Sequence, residues 1–431
     1  MLKTTVAGVA TVAFASWVSA DEQSKSIRIG FIGVGERGTA LLREMLSHKE
    51  VQVPAVCDIN EKNLNRAIDL IEKSRGNRPE GYSPGSEDYR KLLAREDLNA
   101  VLIATPQELH AVMACDAMRA KKFVGSEVPA CCTIEECHEL VKVQRETKTG
   151  YMMLENYLYP NFVMQVQNMA DKGAFGELTY GVGNYIHEIR AMKFTPDGSA
   201  LTWRGENVRD NIGVIYPTHA IGPVCRWMGV NRKSADGDKL VSLVAMASKS
   251  IATHQYAVEK FGANSPAAKV GFKNGDTNHA LIKSAKGRLI EVRYDTASPR
   301  PAGMGQYSLQ GTRGAYESVF GERNVYLEGR SPAEKWEPLE KYEPEFRHPR
   351  WAGEEGKLAT ASGHNGGDYF VIADFIHAIR SGESPIDVID AVTWSCIRPL
   401  SAQSIERGSV PVEIPNFAQE SPGSAAIRPG A

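Results

Sequence analysis

Beyond its first twenty positions this 431-residue chain has no long apolar run, so no later segment is able to span a membrane. Blocks of Lys or Arg are absent too. The 50 basic and 52 acidic residues leave a formal net charge of −2, which argues against nucleic acid or an anionic membrane surface as partner and for a small, neutral ligand. No internal repeat is present. The only biased tract is a Gly/Pro/Ala-rich tail after Gln419, so residues 413–431 are read as a frayed end. Cysteine is scarce and odd in number, seven in all, and most lie in apolar segments, such as Cys57 at a strand end and Cys115 in a helix. Buried free thiols are therefore expected. Cys131, Cys132, Cys137 and His138 cluster in sequence, but no second C-x-x-C accompanies them and Thr133-Ile-Glu-Glu opens a helix, so no metal is expected.

The N-terminus reads as an export signal over residues 1–20. Lys3 supplies a positive start, residues 6–18 are apolar but too short for a spanning helix, and Val18-Ser19-Ala20 resembles a cleavage site. Asp21 would begin the mature, periplasmic or secreted protein. No twin arginine precedes the apolar stretch.

Short βα units follow. Residues 26–32 form a β-type run, directly followed by Gly33-Val-Gly35-Glu36-Arg37-Gly38 and an amphipathic helix predicted from Thr39 to about His48. In that context G-x-G-x-x-G is a dinucleotide turn. Gly33 allows the bend, Gly35 lets backbone approach a pyrophosphate, Gly38 lets helix pack on strand, and the helix N-terminus faces the phosphates. The next strand, 51–57, ends at Asp58, 20 residues beyond Gly38, where a carboxylate accepts from ribose hydroxyls and repels a 2′-phosphate. NAD rather than NADP is the expected cofactor. Helices over 61–73, 88–95, 110–120 and 133–147 alternate with strands over 100–105 and 123–124, and Thr133 with Glu136 has capping-box spacing. Ligands on a doubly wound sheet sit at the carboxyl ends of its strands. Thr105-Pro106, Glu127-Val128 and Glu155-Asn156 should therefore border the nicotinamide.

After Tyr151 the pattern changes to longer strands, predicted over 178–189, 240–247, 278–284, 289–295, 307–311 and 324–327. Helical spacing returns over 368–380 and 385–407, with Gly382 and Gly408 as stops. The fold class is thus α/β: an N-terminal Rossmann doubly wound parallel sheet, plus an α+β domain with a large open, mainly antiparallel sheet. The divisions are 21–152 for NAD, 153–384 for substrate, and 385–412 for a C-terminal helix packing back on the core. Two clusters in the second domain pair a phenol with an imidazole, the groups that carry protons near neutral pH: Tyr185 with His187, on one strand face, and Tyr216 with His219.

With these residues assembled, the chain resembles the Gfo/Idh/MocA superfamily, and more narrowly glycoside hydrolase family 109, the NAD-dependent α-N-acetylgalactosaminidases. The resemblance rests on Gly33 to Gly38, Glu127-Val-Pro-Ala130, Met153-Leu-Glu-Asn156, Tyr185-Ile-His187, Tyr216-Pro-Thr-His219 with Gly222-Pro223, and Gln310-Gly-Thr312, which span nearly the whole mature chain. Ordinary dehydrogenases of the superfamily carry Glu-Lys-Pro where this chain has Glu127-Val128-Pro129. Valine carries no proton, so the acid/base work passes to the Tyr/His clusters. The resemblance implies a glycosidase with recycled NAD: C3 of the sugar is oxidised, the C2 proton and C1 aglycone are eliminated, water adds, and C3 is reduced again. It implies that Gly33, Gly35, Glu36, Arg37, Gly38, Asp58, Thr105, Gln107, His110, Glu127, Val128 and Asn156 hold NAD. It places Tyr185, His187, Tyr216 and His219 at the sugar as catalytic groups, His219 or Tyr216 for the C3 hydroxyl proton and Tyr185 or His187 for C2. Arg204 and Tyr307 join them as substrate contacts, with no metal. Two departures bear on specificity. The segment before His110 is Gln107-Glu-Leu109 where aromatic residues are usual, and Ala302 stands where a substrate-contacting tyrosine is usual, which either enlarges the pocket or moves that contact to Tyr307. The substrate is therefore N-acetylgalactosaminide or a related sugar. The competing reading is an NAD-dependent sugar or polyol dehydrogenase, and a third is a noncatalytic sugar-binding protein. Export favours the recycled cofactor, since free NAD is not supplied outside the cytoplasm. By analogy with other open-sheet second domains, a homodimer or homotetramer is expected.

Overall fold

The computed structural model describes residues 26–301, 305–319 and 321–419; the predicted export signal, Ala302 and the chain beyond Gln419 lie outside these. Six strands make the first sheet: β1 (Ile27–Ile32), β2 (Val51–Cys57), β3 (Glu80–Tyr82), β4 (Ala100–Ile103), β5 (Phe123–Ser126) and β6 (Tyr151–Met153). Their order is β3-β2-β1-β4-β5-β6, all parallel. Runs such as Ala-Val-Leu-Ile in β4 are buried throughout because helices cover both faces, the condition of a parallel sheet. The covering helices include α1 (Glu36–Ser47), α2 (Glu61–Arg75), α3 (Tyr89–Leu93), α4 (His110–Arg119) and α5 (Ile134–Thr147). Thr133 caps α5 in the predicted capping box, its side chain accepting from Glu136. The start of α1 is three residues earlier than predicted, because Gly38 lies inside the first helical turn. A Cβ there would stand 2.0 Å from the Gly33 carbonyl oxygen. Strand β3, hidden in a Gly/Pro-rich loop, was not legible as a strand.

The second sheet has nine strands: β7 (Leu178–Ile186), β8 (Leu240–Ala247), β9 (Asn278–Ser284), β10 (Leu289–Asp295), β11 (Gln306–Gly311), β12 (Gly314–Val319), β13 (Glu322–Leu327), β14 (Glu337–Pro338) and β15 (Val412–Glu413). Their order is β14-β13-β12-β11-β7-β10-β9-β8-β15. All pairs are antiparallel except β7 with β10, which run together with Tyr294 opposite Tyr185. Helices α6 (Asn161–Asp171), α7 (Trp203–Asp210) and α8 (Thr218–Trp227) follow β6 and β7. Helix α8 lies so close to β7 that a Cβ on Gly183 would come within 1.9 Å of the Ala220 carbonyl oxygen.

The predicted helix over 385–407 is two helices, Val388–Ser395 and Ile397–Glu406. The second begins a fresh turn in which Pro399 sits where no intrahelical donor is needed. The first packs on α5 and β6, the second on β8 of the other sheet, so the C-terminal segment ties the two sheets together. The preceding helix, Gly367–Ser381, packs on α1 and ends at Gly382 in the left-handed conformation. Among the described residues no helix is long and apolar enough to cross a membrane. All seven cysteines are free, six of them buried.

Candidate active site

At the end of β1, Gly33 turns the chain with φ +85°, and a Cβ there would meet the Ala104 backbone at 2.7 Å. Gly35 is different. The nearest atom to a Cβ on it is Asn63 Nδ2 at 3.9 Å, so the absent side chain leaves open space in front of the α1 N-terminus, where no side chain caps the free amides. Glu36 is exposed at the first helical position. Asp58 closes the other side, accepting from the Val34 amide at 2.8 Å and the Asn60 amide at 2.8 Å. At the strand ends, Thr105 Oγ1, both amide atoms of Gln107 and Asn156 Oδ1 are buried with no protein partner. Buried polar groups without partners are costly. A glycine-lined cradle, a carboxylate and these orphaned groups fit a dinucleotide.

Beside the cradle, Arg37 Nε donates to Glu127 at 2.5 Å and its Nη1 to both Asp368 oxygens at 2.9 and 3.0 Å. Asn156 Nδ2 donates to Asp368 at 2.8 Å, and the Val128 amide to Glu127 at 3.0 Å. Burial opposes the charge on Glu127, but Arg37 outweighs it and holds the carboxyl below its ordinary value. For Asp368 burial likewise opposes, and His364 and Arg37 together hold it low. Arg37, Glu127 and Asn156, assigned separately to NAD from sequence, thus form one network beside Val128.

The four residues predicted at the sugar do come together. Tyr185 and Tyr216 have ring centroids 5.1 Å apart, and His219 lies 5.6 and 5.1 Å from them. Strand β7 ends at Ile186, three residues before the predicted end, and His187 falls just past it. Its amide donates to the Asp295 carbonyl at 2.9 Å, and Tyr185 Oη lies 3.2 Å from His187 Nδ1. His219 Nδ1 is 2.6 Å from Glu155 Oε1, a carboxylate with no solvent exposure whose other support is the Tyr157 amide at 3.0 Å. Burial raises Tyr185 and Tyr216 above the ordinary phenol value, and burial with the charge of Arg204 lowers His187. His219 is bonded to Glu155, whose chain neighbour Asn156 donates to Asp368, so the cluster adjoins the network beside the cradle.

Two predicted contacts are corrected. Tyr307 does not face the cleft: it is 1% exposed and its hydroxyl donates to the His219 carbonyl at 2.6 Å, so it supports His219 from below. His110 is buried with its ring between the carbonyls of Pro129 (2.8 Å) and Thr105 (2.9 Å), which fixes the loop and leaves no nitrogen for NAD. Arg204 stacks on Trp203 at 4.1 Å and sits within electrostatic reach of Tyr185, His187 and Tyr294. Glu155 was placed at the nicotinamide, but its bond to His219 was not visible from sequence. Tyr157, packed against His219 with ring centroids 4.5 Å apart, and the pair His364 and Asp368 were also missed. The only available signal was the strand end at Met153. Nothing in the spacing brings residues 364 and 368 to it.

An NAD-type cradle whose strand-end lysine is replaced by Val128, facing a Tyr/His cluster on a mixed sheet, defines an oxidoreductase fold turned to other chemistry. The NAD-binding Rossmann domain of the Gfo/Idh/MocA oxidoreductase family matches residues 27–154, and the C-terminal domain of glycosyl hydrolase 109 matches residues 159–421. A glycosyl hydrolase family 109 protein of Stenotrophomonas maltophilia (strain K279a) is 37% identical over 415 residues, covering 92% of this chain and 90% of that protein. The alpha-N-acetylgalactosaminidase of Tannerella forsythia is 37% identical over 411 residues, 91% of this chain and 86% of its own. Levoglucosan dehydrogenase in complex with NADH shares the fold, with TM-score 0.70 at 19% identity over 90% of this chain and 99% of that one. The chain belongs to glycosyl hydrolase family 109. It is a glycoside hydrolase built on an NAD-binding oxidoreductase fold.

Proposed function

We propose that this protein cleaves α-N-acetylgalactosaminides or closely related sugars with an NAD that is retained and restored in each turnover. The observation that carries the reading is the meeting of Tyr185, His187, Tyr216 and His219, joined through Glu155 and its neighbour Asn156 to the network that holds Glu127, in a chain with Val128 where a plain dehydrogenase keeps its lysine. When bound, NAD supplies reversible oxidation of a carbon bearing a hydroxyl. The protein's own groups handle the protons. His219 Nδ1–H donates to Glu155, which leaves Nε2 as a base for the sugar's C3 hydroxyl. The buried phenols stay protonated near neutral pH, so neither is a free base. Tyr185 can still accept the C2 proton because its own passes to His187 Nδ1, and His187, kept neutral by burial and Arg204, has room for it. Tyr216 serves as a hydrogen-bond donor to the sugar.

Purified protein with bound NAD, given aryl α-N-acetylgalactosaminides in D₂O, is expected to release aglycone with no net NADH and with deuterium at C2. Release coupled to stoichiometric NADH, or oxidation without release, establishes the dehydrogenase instead. Binding without turnover establishes a sugar-binding protein. The reading includes export with loss of residues 1–20, checked by N-terminal sequencing of the protein recovered from the periplasm or medium. It includes self-association through the outer face of the second sheet, where Met246 and Leu281 are exposed on adjoining strands; light scattering at micromolar concentration checks it.

A further inference from the structure

A cavity of about 310 Å³, at the small end of ligand-binding size, lies between the start of α6, the start of β13 and the segment 339–365. Its wall includes Asn161, Phe162, Arg323, Glu340, Glu343 and Asn365. It adjoins the cleft on two sides. Gln306 is opposite Asn184, Ser308 opposite Glu317 and Ser318 opposite Arg323, so Arg323 stands at the end of the second sheet to which β7 delivers Tyr185. Strand β13 is separated from β7 by β12 and β11, and at about 4.8 Å per strand spacing it lies roughly 14 Å across the sheet. On the other side, the His364 ring centroid lies 6.2 Å from that of Tyr157, which packs on His219, while the next residue, Asn365, lines the cavity. One short loop thus borders both. His364 and Asn365 hold it in the left-handed backbone (φ +51° and +55°) that non-glycine residues avoid and that concentrates at working sites.

The apolar residues of the wall, Phe162, Leu339 and Trp351, are all buried, so a ligand meets polar side chains. The Arg323 guanidinium carbon stands 3.9 Å from the Phe162 ring centroid, which fixes its plane, and among the described residues the fork makes no hydrogen bond or ion pair. The side chains of Glu340 and Asn365 are likewise unbonded. Asn161 Nδ2 donates to Glu343 at 3.3 Å, and Arg347 balances that carboxylate at 3.3 Å. Arg323 therefore faces one unbalanced carboxylate, Glu340. Donors and acceptors with no net charge match hydroxyl groups rather than an anion, and a peptide calls for apolar side-chain pockets that are covered here. We propose that this cavity is a second sugar subsite: it binds a neutral sugar unit in the aglycone of an oligosaccharide, Arg323 donating to its hydroxyls and Glu340 accepting from them, while the terminal sugar sits at Tyr185 and His219. This rests on the reading of the preceding section. The span from β7 to β13 exceeds an aryl group and suits a short oligosaccharide, so the substrate class is a glycan rather than a small glycoside.

The test compares the wild-type holoenzyme with Arg323→Gln and Glu340→Gln on an aryl α-N-acetylgalactosaminide and on neutral hexose oligomers capped by α-linked N-acetylgalactosamine, from disaccharide to tetrasaccharide. In the wild type, kcat/KM is expected to rise about tenfold at one step of the series, as a hydrogen bond to a charged group implies. Each variant loses about tenfold on the substrates past that step, through KM, and less than about twofold on the aryl glycoside. Retained aryl turnover shows that the variants are folded and loaded with NAD. No rise with length in the wild type, an equal loss on every substrate, or a gain confined to a serine-linked glycopeptide overturns the subsite and leaves the preceding reading intact. A wild type that releases no aglycone from any substrate overturns the preceding reading. Calorimetry with the uncapped hexose trisaccharide then decides the subsite by itself: binding to the wild type that weakens about tenfold in Arg323→Gln supports it, and equal or absent binding overturns it.

Discussion

Gly35 and Gly38 stand in one turn, yet an added methyl group meets different things at each. At Gly38 it strikes the Gly33 carbonyl, so Gly38→Ala must move backbone and is expected to lower stability by about 1–3 kcal/mol along with cofactor binding. At Gly35 it meets no protein atom closer than 3.9 Å, and the φ of −61° suits alanine. Gly35→Ala should therefore melt like the wild type but bind NAD roughly tenfold or more weakly, as read by titration against intrinsic fluorescence. A matching loss of melting temperature would show that the site is built differently. The same separation applies at His219. Glu155→Gln keeps the shape but lets the imidazole take the wrong tautomer, and kcat is expected to fall about 10²- to 10⁴-fold with NAD affinity unchanged. Steady-state kinetics beside an NAD titration decide it; a retained kcat would remove Glu155 from the mechanism.

Among the elements, what delivers His219 to Tyr185 is the contact of α8 with β7 across Gly183. Gly183→Ala pushes the helix off the strand at Ala220, directly after His219, and should abolish most turnover while the first sheet still binds NAD. Full turnover in a folded Gly183→Ala protein would show that the close packing is not needed. The elements that were legible in the sequence are those whose signals are local. The strand, glycine turn and acid of the first βαβ unit were readable because each needs a particular residue type at a particular spacing, and β8, β9 and β10 match their predicted bounds because their side chains alternate or run apolar to a turn. Strand β12 was missed: it is six residues with a glycine start between two tight turns, and it owes its existence to β11 and β13 on either side. The site was half legible. Tyr185, His187, Tyr216 and His219 lie in compact motifs, whereas Glu155 and His219 are 64 residues apart and Arg37 and Asp368 331 apart, contacts that only the packing of two sheets creates. Tyr307 misled because a tyrosine on a strand face beside a cleft reads the same whether its hydroxyl points to solvent or to a backbone carbonyl.

At the scale of the molecule, the chain's last third closes the cleft by returning to the first sheet. Arg37 reaches Asp368 from the far domain, and the Ala130 amide, two residues past Val128, donates to Ser395 Oγ at 3.0 Å. The helix that carries Ser395 begins beside Asp390, whose carboxylate accepts from Asn231 at 3.0 Å. Burial and the neighbouring Asp387 carboxylate push Asp390 up to about 6, against the pull of Arg226 and Lys233. In the unfolded chain an aspartate titrates near 3.9. The folded state thus holds this proton more tightly, and its stabilising contribution is complete below about pH 4 and lost as pH rises to about 6. The loss amounts to at most about 3 kcal/mol, reduced by the side chain's partial exposure. Asp390→Asn removes the charge and keeps an oxygen for Asn231. Urea unfolding across pH 4 to 7 should find variant and wild type equal near pH 4 and the variant more stable by about 1–2 kcal/mol at pH 7. Parallel curves over that range would place the titrating carboxyl elsewhere. A steeper fall in the wild type alone would show that the joint between the sheets is held under a charge it does not accommodate well.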